Sequence, residues 1–92
     1  MIKILNLVLT DFWFEQIKSG LKTHEYRVAK DYWVTRFQNN NYTHVQFQKA
    51  YRKNAEKMIF EIKSINLIQN GEHTDLAVKS PVFDIELGKP IK

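Results

Sequence analysis

Three charged side chains stand close together in one short segment of the chain: Lys22, Glu25 and Arg27. Because the side chains of a strand alternate between its two faces, Glu25 and Arg27 share a face, where they can pair with each other or with a polar ligand. A carboxylate accepts hydrogen bonds from an exocyclic amine, and a cation holds an oxygen or a phosphate. Lys22 has the opposite parity, so it joins them only if it still belongs to the turn that follows Gly20. The alternative is a surface ion pair of Glu25 and Arg27, which contributes little to stability.

Aromatic residues surround this charged segment. Tyr26 lies inside it, and Tyr32 and Trp33 follow shortly afterwards. Neighbours on a helix are turned ~100° apart, so one of Tyr32 and Trp33 can be buried while the other faces a cleft. An aromatic ring in a cleft can stack on a base, which is worth ~1–3 kcal/mol per base in nucleic-acid binders. We expect Tyr32 or Tyr26 to face the cleft and Trp13 and Phe37 to belong to the core.

A second concentration of positive charge follows in the segment 49–57, where Glu56 is the only acidic residue. Its cations are Lys49, Arg52, Lys53 and Lys57. Tyr51 stands among them, and a basic loop that carries an aromatic ring can bind phosphate and base together. A solvated hairpin tip explains the same segment equally well.

Hydrophobic spacing predicts a mainly β, α+β chain with two short helices. Residues 2–9 form an almost wholly apolar, buried strand, and residues 21–28 form the second strand. Between them lies a helix that Thr10 or Asp11 caps and Gly20 ends. The apolar stripe of this helix consists of Trp13, Phe14 and Ile17.

The second half of the chain continues the same pattern. Asp31 caps a second helix, and Asn39 to Asn41 form a loop. Further strands are expected over residues 43–48, 58–68 and 83–87. The apolar phase changes near Ser64, which predicts a bulge or sharp bend. Residues 72–80 are irregular or a short helical turn, and residues 88–92 form a tail. A helix between the first two strands of so small a chain fits a curled sheet or barrel.

Composition indicates one domain, residues 1–92, with a cytoplasmic location as the default. Without cysteine, neither a disulfide framework nor a thiolate metal site is expected. The first apolar run is too short for a signal peptide or for a spanning helix of ~20 residues. His24, His44 and His73 lack metal-ligand spacing, so we expect no metal and no cofactor. The net charge of +4 is compatible with an anionic partner such as nucleic acid.

The ordered pattern of motifs resembles the ASCH family, a branch of the PUA-like group of small RNA-associated β-barrels, in its small stand-alone bacterial or phage type. The resemblance covers nearly the whole chain. It rests on Leu5-Asn6-Leu7, Trp13-Phe14, Ile17, Ser19-Gly20, Lys22, Glu25, Arg27, Tyr32-Trp33, Val45, Phe47, Tyr51, Glu61-Ile62 and Ile85-Glu86-Leu87-Gly88.

This resemblance implies a small PUA-like β-barrel of about five to six strands with two short flanking helices. It also implies that Lys22, Glu25 and Arg27 line a cleft between the first helix and the sheet, where RNA or a nucleotide-like ligand binds. The further contacts we expect come from Tyr26, Tyr32, Trp33, Lys49, Tyr51, Arg52 and Lys53.

Two alternatives remain open. Some ASCH relatives hydrolyse the acetyl group of acetylcytidine with a motif lysine, a threonine three residues later and a remote glutamate. Lys22 matches the lysine, Glu25 stands where the threonine is expected, and no counterpart of the remote glutamate is evident between Gly71 and Pro81. If the chain is an enzyme, Lys22 and Glu25 are its candidate catalytic residues. A cleft that serves a protein partner is the other alternative.

Overall fold

Five strands and two short helices make up the part of the chain that the computed structural model describes, residues 1–91. In chain order they are β1 (Ile4–Leu9), α1 (Asp11–Lys18), β2 (His24–Val28), α2 (Asp31–Asn39), β3 (His44–Lys49), β4 (Lys57–Ile68) and β5 (Val82–Ile91). The predicted mainly β, α+β architecture with two flanking helices is therefore confirmed.

The strands form one curled sheet in the order β1-β3-β4-β5-β2. The β1 and β3 strands run parallel, and the other neighbouring strands run antiparallel. The sheet is a half-barrel in which β1 and β2 are the two edge strands. Its curl brings these edges toward each other, so that Nη2 of Arg27 on β2 lies 3.5 Å from the carbonyl oxygen of Val8 on β1.

The core lies on the concave face of this sheet. It contains Leu5, Leu7, Leu9, Phe14, Ile17, Val45, Phe47, Ile85 and Leu87. The predicted apolar stripe of α1 is confirmed for Phe14, which is fully buried, as are Phe47 of β3 and Ile85 of β5. The expectation that all apolar residues of 2–9 are buried is wrong, because Ile2 and Ile4 are exposed. The burial pattern of β1 alternates instead, since only one face of this strand meets the core.

Several predicted boundaries shift. The β2 strand begins at His24 and not at residue 21, because the amide of Lys22 still donates to the carbonyl of Gln16 (3.0 Å) in the turn after α1. Lys30, not Asp31, occupies the N-cap position of α2, which runs through Asn39. Thr10 caps α1 by position, without a side-chain hydrogen bond.

The last strand is longer than the alternation of apolar residues predicted. Residues 88–91, predicted as a tail, continue β5 to Ile91, while Lys92 lies outside the described residues. Gly88 permits this, because a Cβ atom there would approach Cβ of Glu61 on β4 to 3.1 Å. The predicted bulge near Ser64 is confirmed, since the β4–β5 register shifts between Phe60 and Ile62 and again between Ile62 and Ser64.

Candidate functional site

Glu25 is the one charged residue that is buried within residues 1–91, at 5% exposure. Its Oε1 atom lies 3.0 Å from Nζ of Lys22. Its Oε2 atom accepts a hydrogen bond from Nε of Arg27 at 3.1 Å and lies 2.8 Å from Nη2 of the same residue. The three motif charges thus form one network. A buried charge of this kind requires such partners, because removing a carboxylate from water without compensation costs several kcal/mol.

The turn after α1 explains how Lys22 reaches Glu25. Gly20 has φ +85°, in the left-handed region that glycine adopts without strain, and it ends the helix. Lys22 follows in that turn, two residues before β2 begins, so strand parity does not govern its side chain. Lys22 therefore belongs to the turn after Gly20, as it must in order to join Glu25 and Arg27.

Asp75 is a fourth member of the network that sequence reasoning missed. Its Oδ2 atom contacts Nζ of Lys22, so this lysine lies between two carboxylates. The segment 71–80 positions Asp75: Gly71 forms a β-bridge with Val78, and its amide donates to the carbonyl of Ser80 (2.9 Å). A single acidic residue in an irregular segment gives no periodic signal, so its distant partner could not be identified from the sequence.

Each cation of the network lies on a tryptophan. Nζ of Lys22 is 4.3 Å from the ring centre of Trp13, and the guanidinium carbon of Arg27 is 5.5 Å from the ring centre of Trp33. Such contacts are worth about 0.5–2 kcal/mol. The prediction that Trp13 belongs to the core is corrected here: Trp13 is half-buried, packs against the core and also faces the network. Phe37 is likewise half-buried: it packs against the core, and its ring meets Phe83.

Glu25, Arg27 and the two tryptophans border a cleft of about 350 Å³ between the two edge strands. Lys22 does not line this cleft, contrary to the expectation, and borders a separate hollow of about 300 Å³ beside the end of α1. One wall, the α1 wall, consists of the end of β1 and the start of α1: Val8, Leu9, Thr10 and Trp13. The other, the α2 wall, consists of β2 and the start of α2: Glu25, Tyr26, Arg27, Val28, Lys30 and Trp33. Leu76 lies at one side. Tyr26 therefore lines the cleft as expected. Of the pair Tyr32 and Trp33, the tryptophan is the one that lines it.

The backbone of β2 also faces this cleft. The amide of Leu87 donates to the carbonyl of Thr23, and the amide of Ala29 donates to the carbonyl of Pro81, so odd-numbered residues pair with β5. In an antiparallel ladder the alternate residues point their N–H and C=O groups to the other side. Because β2 is an edge strand, the N–H and C=O of Tyr26 have no backbone partner within residues 1–91 and lie at the cleft.

A polar cluster adjoins Tyr26. Nδ1 of His24 lies 2.7 Å from Oδ1 of Asp84, and the His24 ring stacks on Tyr26 with centres 6.1 Å apart. Burial raises the pKa of Tyr26, and the negative charges of Asp84 and Asp75 raise it further. Its hydroxyl is therefore a neutral hydrogen-bond donor at physiological pH.

The basic segment 49–57 lies against α1 and not in the cleft. Lys49 pairs with Glu15, Arg52 with Asp11, and Glu56 with Lys18, each at 2.6 Å. Lys53 and Tyr51 are exposed. The phosphate contacts proposed for Lys49, Tyr51, Arg52 and Lys53 stay a prediction, and for Lys49 and Arg52 they must compete with these ion pairs.

Two larger hollows, of about 750 and 450 Å³, lie elsewhere on the molecule. The largest contains Glu61, Lys63 and Lys89, all of them exposed. Charges that water already solvates indicate no built binding site. We therefore place the candidate site at the smaller cleft, where a charge is buried and every member of the network is held by another.

Within residues 1–91, no group of three His, Asp or Glu side chains is placed to hold a metal ion. Neither of the two helices there has the length and apolar character needed to cross a bilayer. Comparisons with protein-family models, with curated proteins and with solved structures found no match to this chain.

Proposed function

We propose that the cleft binds a nucleobase of RNA or of a nucleotide-like ligand, as the ASCH resemblance implies. The observation that carries the proposal is the buried Glu25, held by two cations that each lie on a tryptophan beside an unpaired strand edge. Indole rings that line a cleft favour a planar ligand, because stacking on an aromatic side chain contributes ~1–3 kcal/mol per base. Trp33 already stacks on Phe37, with ring centres 5.6 Å apart, so a base must share this ring with Phe37 and Arg27.

The polar groups of the cleft suit the edge of a base. Tyr26 offers an N–H donor and a C=O acceptor on the same side of its strand. The second lone pairs of the Glu25 carboxylate can accept from an exocyclic amine. Together they supply the alternating donors and acceptors that distinguish nucleobases.

The charge balance of the cleft favours a base over a phosphate inside it. Lys22 and Arg27 are offset by Glu25 and Asp75, so the network has no net charge. A phosphate group gains little from cations that are already paired. Lys30 lines the cleft without a carboxylate partner among residues 1–91 and can meet a phosphate that remains outside.

Fluorescence anisotropy of labelled single-stranded RNA, titrated with the protein at low and at moderate salt, tests this function. We expect binding that weakens as salt rises, because lysine–phosphate contacts release counterions. Trp33→Ala lowers the affinity about tenfold or more, while Lys63→Ala in the largest hollow leaves it unchanged. Absence of binding at low salt removes the proposal.

One observation favours a second candidate, an amidohydrolase of acetylated nucleosides. Asp75 in the segment 71–80 forms an ion pair with Lys22, the motif lysine. No counterpart of the relatives' remote glutamate was evident in this segment from the sequence. Hydrolysis requires water to add to the acetyl carbonyl, the C–N bond to break, and the freed amine to take a proton. A carboxylate can serve as the base for that water. Glu25 in place of the threonine argues against it, since no hydroxyl nucleophile stands there.

Incubation with acetylcytidine, followed by chromatography for cytidine, separates the two candidates. Binding without turnover is the expected result. Turnover that vanishes in Lys22→Ala and in Asp75→Asn, and survives in Lys63→Ala, would make hydrolysis the function.

A further inference from the structure

Each wall of the cleft carries a six-membered aromatic ring followed by a tryptophan in the first turn of its helix. On α1, Phe12 packs edge-to-face against Trp13, with ring centres 4.8 Å apart and planes at 77°. On α2, Tyr32 packs edge-to-face against Trp33, at 4.8 Å and 86°. In both pairs the tryptophan lines the cleft and the preceding ring does not.

The outer rings are exposed and pack on the two tryptophans that line the cleft, and we call their positions its rims. Phe12 is 62% exposed and Tyr32 is 59% exposed. Each stands directly beside a tryptophan that lines the cleft, so their positions are set by the walls themselves. The Phe12 ring contacts no aromatic side chain other than Trp13 within residues 1–91. Two large apolar rings that folding leaves in water, one on each rim, are available to a ligand.

Positive charge accompanies the α2 rim. The guanidinium of Arg36 lies 5.2 Å from the ring centre of Tyr32, and its Nε atom is buried without a hydrogen-bond partner among residues 1–91. At the α1 rim, Arg52 is already paired with Asp11, the residue before Phe12. A ring beside a cation is the combination that binds a base together with its phosphate.

We propose that the ligand of the cleft is a single-stranded oligonucleotide and not a free nucleotide. One base enters between Trp13 and Trp33, and its neighbours on the strand stack on Phe12 and Tyr32. This inference rests on the proposed function and adds to it the length of the ligand and two further binding residues. A mononucleotide fills the cleft alone and leaves both rim rings in water.

Isothermal titration calorimetry tests the inference by comparing the affinities of two sets of probes. One set is the four ribonucleoside monophosphates, and the other is the four homopolymeric hexaribonucleotides. For at least one base we expect the hexanucleotide to bind ten- to a hundredfold more tightly than the monophosphate. Phe12→Ala and Tyr32→Ala each lower hexanucleotide affinity about tenfold and leave monophosphate affinity unchanged. Leu67→Ala is the matched control, because Leu67 is a large apolar side chain that is 50% exposed and lies outside the cleft lining.

The possible failures are distinguishable. Equal affinity for monophosphate and hexanucleotide, or hexanucleotide binding that neither rim variant weakens, overturns this inference and leaves the proposed function standing. Absence of binding by both sets of probes overturns both. Phe12→Leu and Tyr32→Leu keep the apolar contact with the tryptophan but lack an aromatic face, so they must show the same loss if stacking is its cause.

Discussion

The Nζ atom of Lys22 lies 4.3 Å from the centre of the Trp13 ring, so a residue of the turn after α1 folds back over the helix that precedes it. The same Nζ atom meets Glu25 of β2 and Asp75 of the segment 71–80. One ammonium group therefore joins a helix, an edge strand and an irregular segment. Changes to this network should therefore affect stability and binding together.

Replacing Glu25 by alanine should lower the free energy of unfolding by about 3 kcal/mol, because Lys22 and Arg27 lose the carboxylate that compensates them in a buried setting. Urea denaturation followed by fluorescence measures it. Glu61→Ala is the control, since Glu61 is exposed and its loss should cost less than about 0.5 kcal/mol. Equal effects of the two variants would show that the network contributes nothing beyond a surface ion pair.

Proline at Tyr26 should leave the sheet intact and weaken ligand binding. The N–H of Tyr26 points to the free edge of β2, so replacing it by proline removes no hydrogen bond of the β2–β5 ladder. Proline is tolerated at such positions of an edge strand. At Arg27 the N–H belongs to the β5 ladder. At position 26 the proline and alanine variants should therefore be about equally stable. At position 27 the proline variant should be less stable than the alanine variant by about 1–3 kcal/mol, because a β5 carbonyl loses its hydrogen-bond donor.

The same variants measure what the Tyr26 backbone contributes to recognition. Tyr26→Ala keeps the N–H donor and Tyr26→Pro removes it, so RNA affinity should fall further in the proline variant, by about tenfold. Equal affinity in both would mean that the ligand does not use the free edge of β2.

Local periodicity predicted what depends on near neighbours along the chain. A strand in the region 43–48, the phase change near Ser64 and the stop at Gly20 each follow from residues a few positions away, and the structure confirms them. Periodicity could not place Asp75 on Lys22, because an irregular segment has no phase that indicates its direction. It also assigned Trp13 to the core, since a pattern of apolar residues does not distinguish a ring that is covered from one that borders a cleft.

Stability should decline at acidic pH through the ion pairs between α1 and the segment 49–57. The hydrogen bond from Arg52 lowers the pKa of Asp11 below its ordinary 3.8, and the hydrogen bond from Lys49 lowers the pKa of Glu15 below its ordinary 4.5. A carboxyl whose pKa is lower in the folded state stabilises that state above its unfolded pKa, and this contribution is lost as the pH falls through the folded pKa. Both groups are exposed, so the effect is modest and salt weakens it.

Thermal melting between about pH 7 and pH 3 measures this contribution. The double variant Asp11→Asn, Glu15→Gln should show a smaller fall in melting temperature over that range than the unaltered protein. Its deficit at neutral pH should shrink when salt is added. An unchanged pH profile would mean that the two pairs do not contribute in solution.

Asp75→Asn tests whether the contact with Lys22 holds the segment 71–80 against the cleft. The asparagine keeps the size of the side chain but loses the charge, so its hold on the lysine weakens while Gly71 still bonds to Ser80. Amide hydrogen exchange should then speed up within this segment and stay unchanged in β3, because local opening there needs no global unfolding. Glu72→Gln is the matched control, an exposed acidic residue of the same segment. If the two variants exchange alike, the segment is held by its turns alone, and Asp75 contributes only charge balance to the cleft.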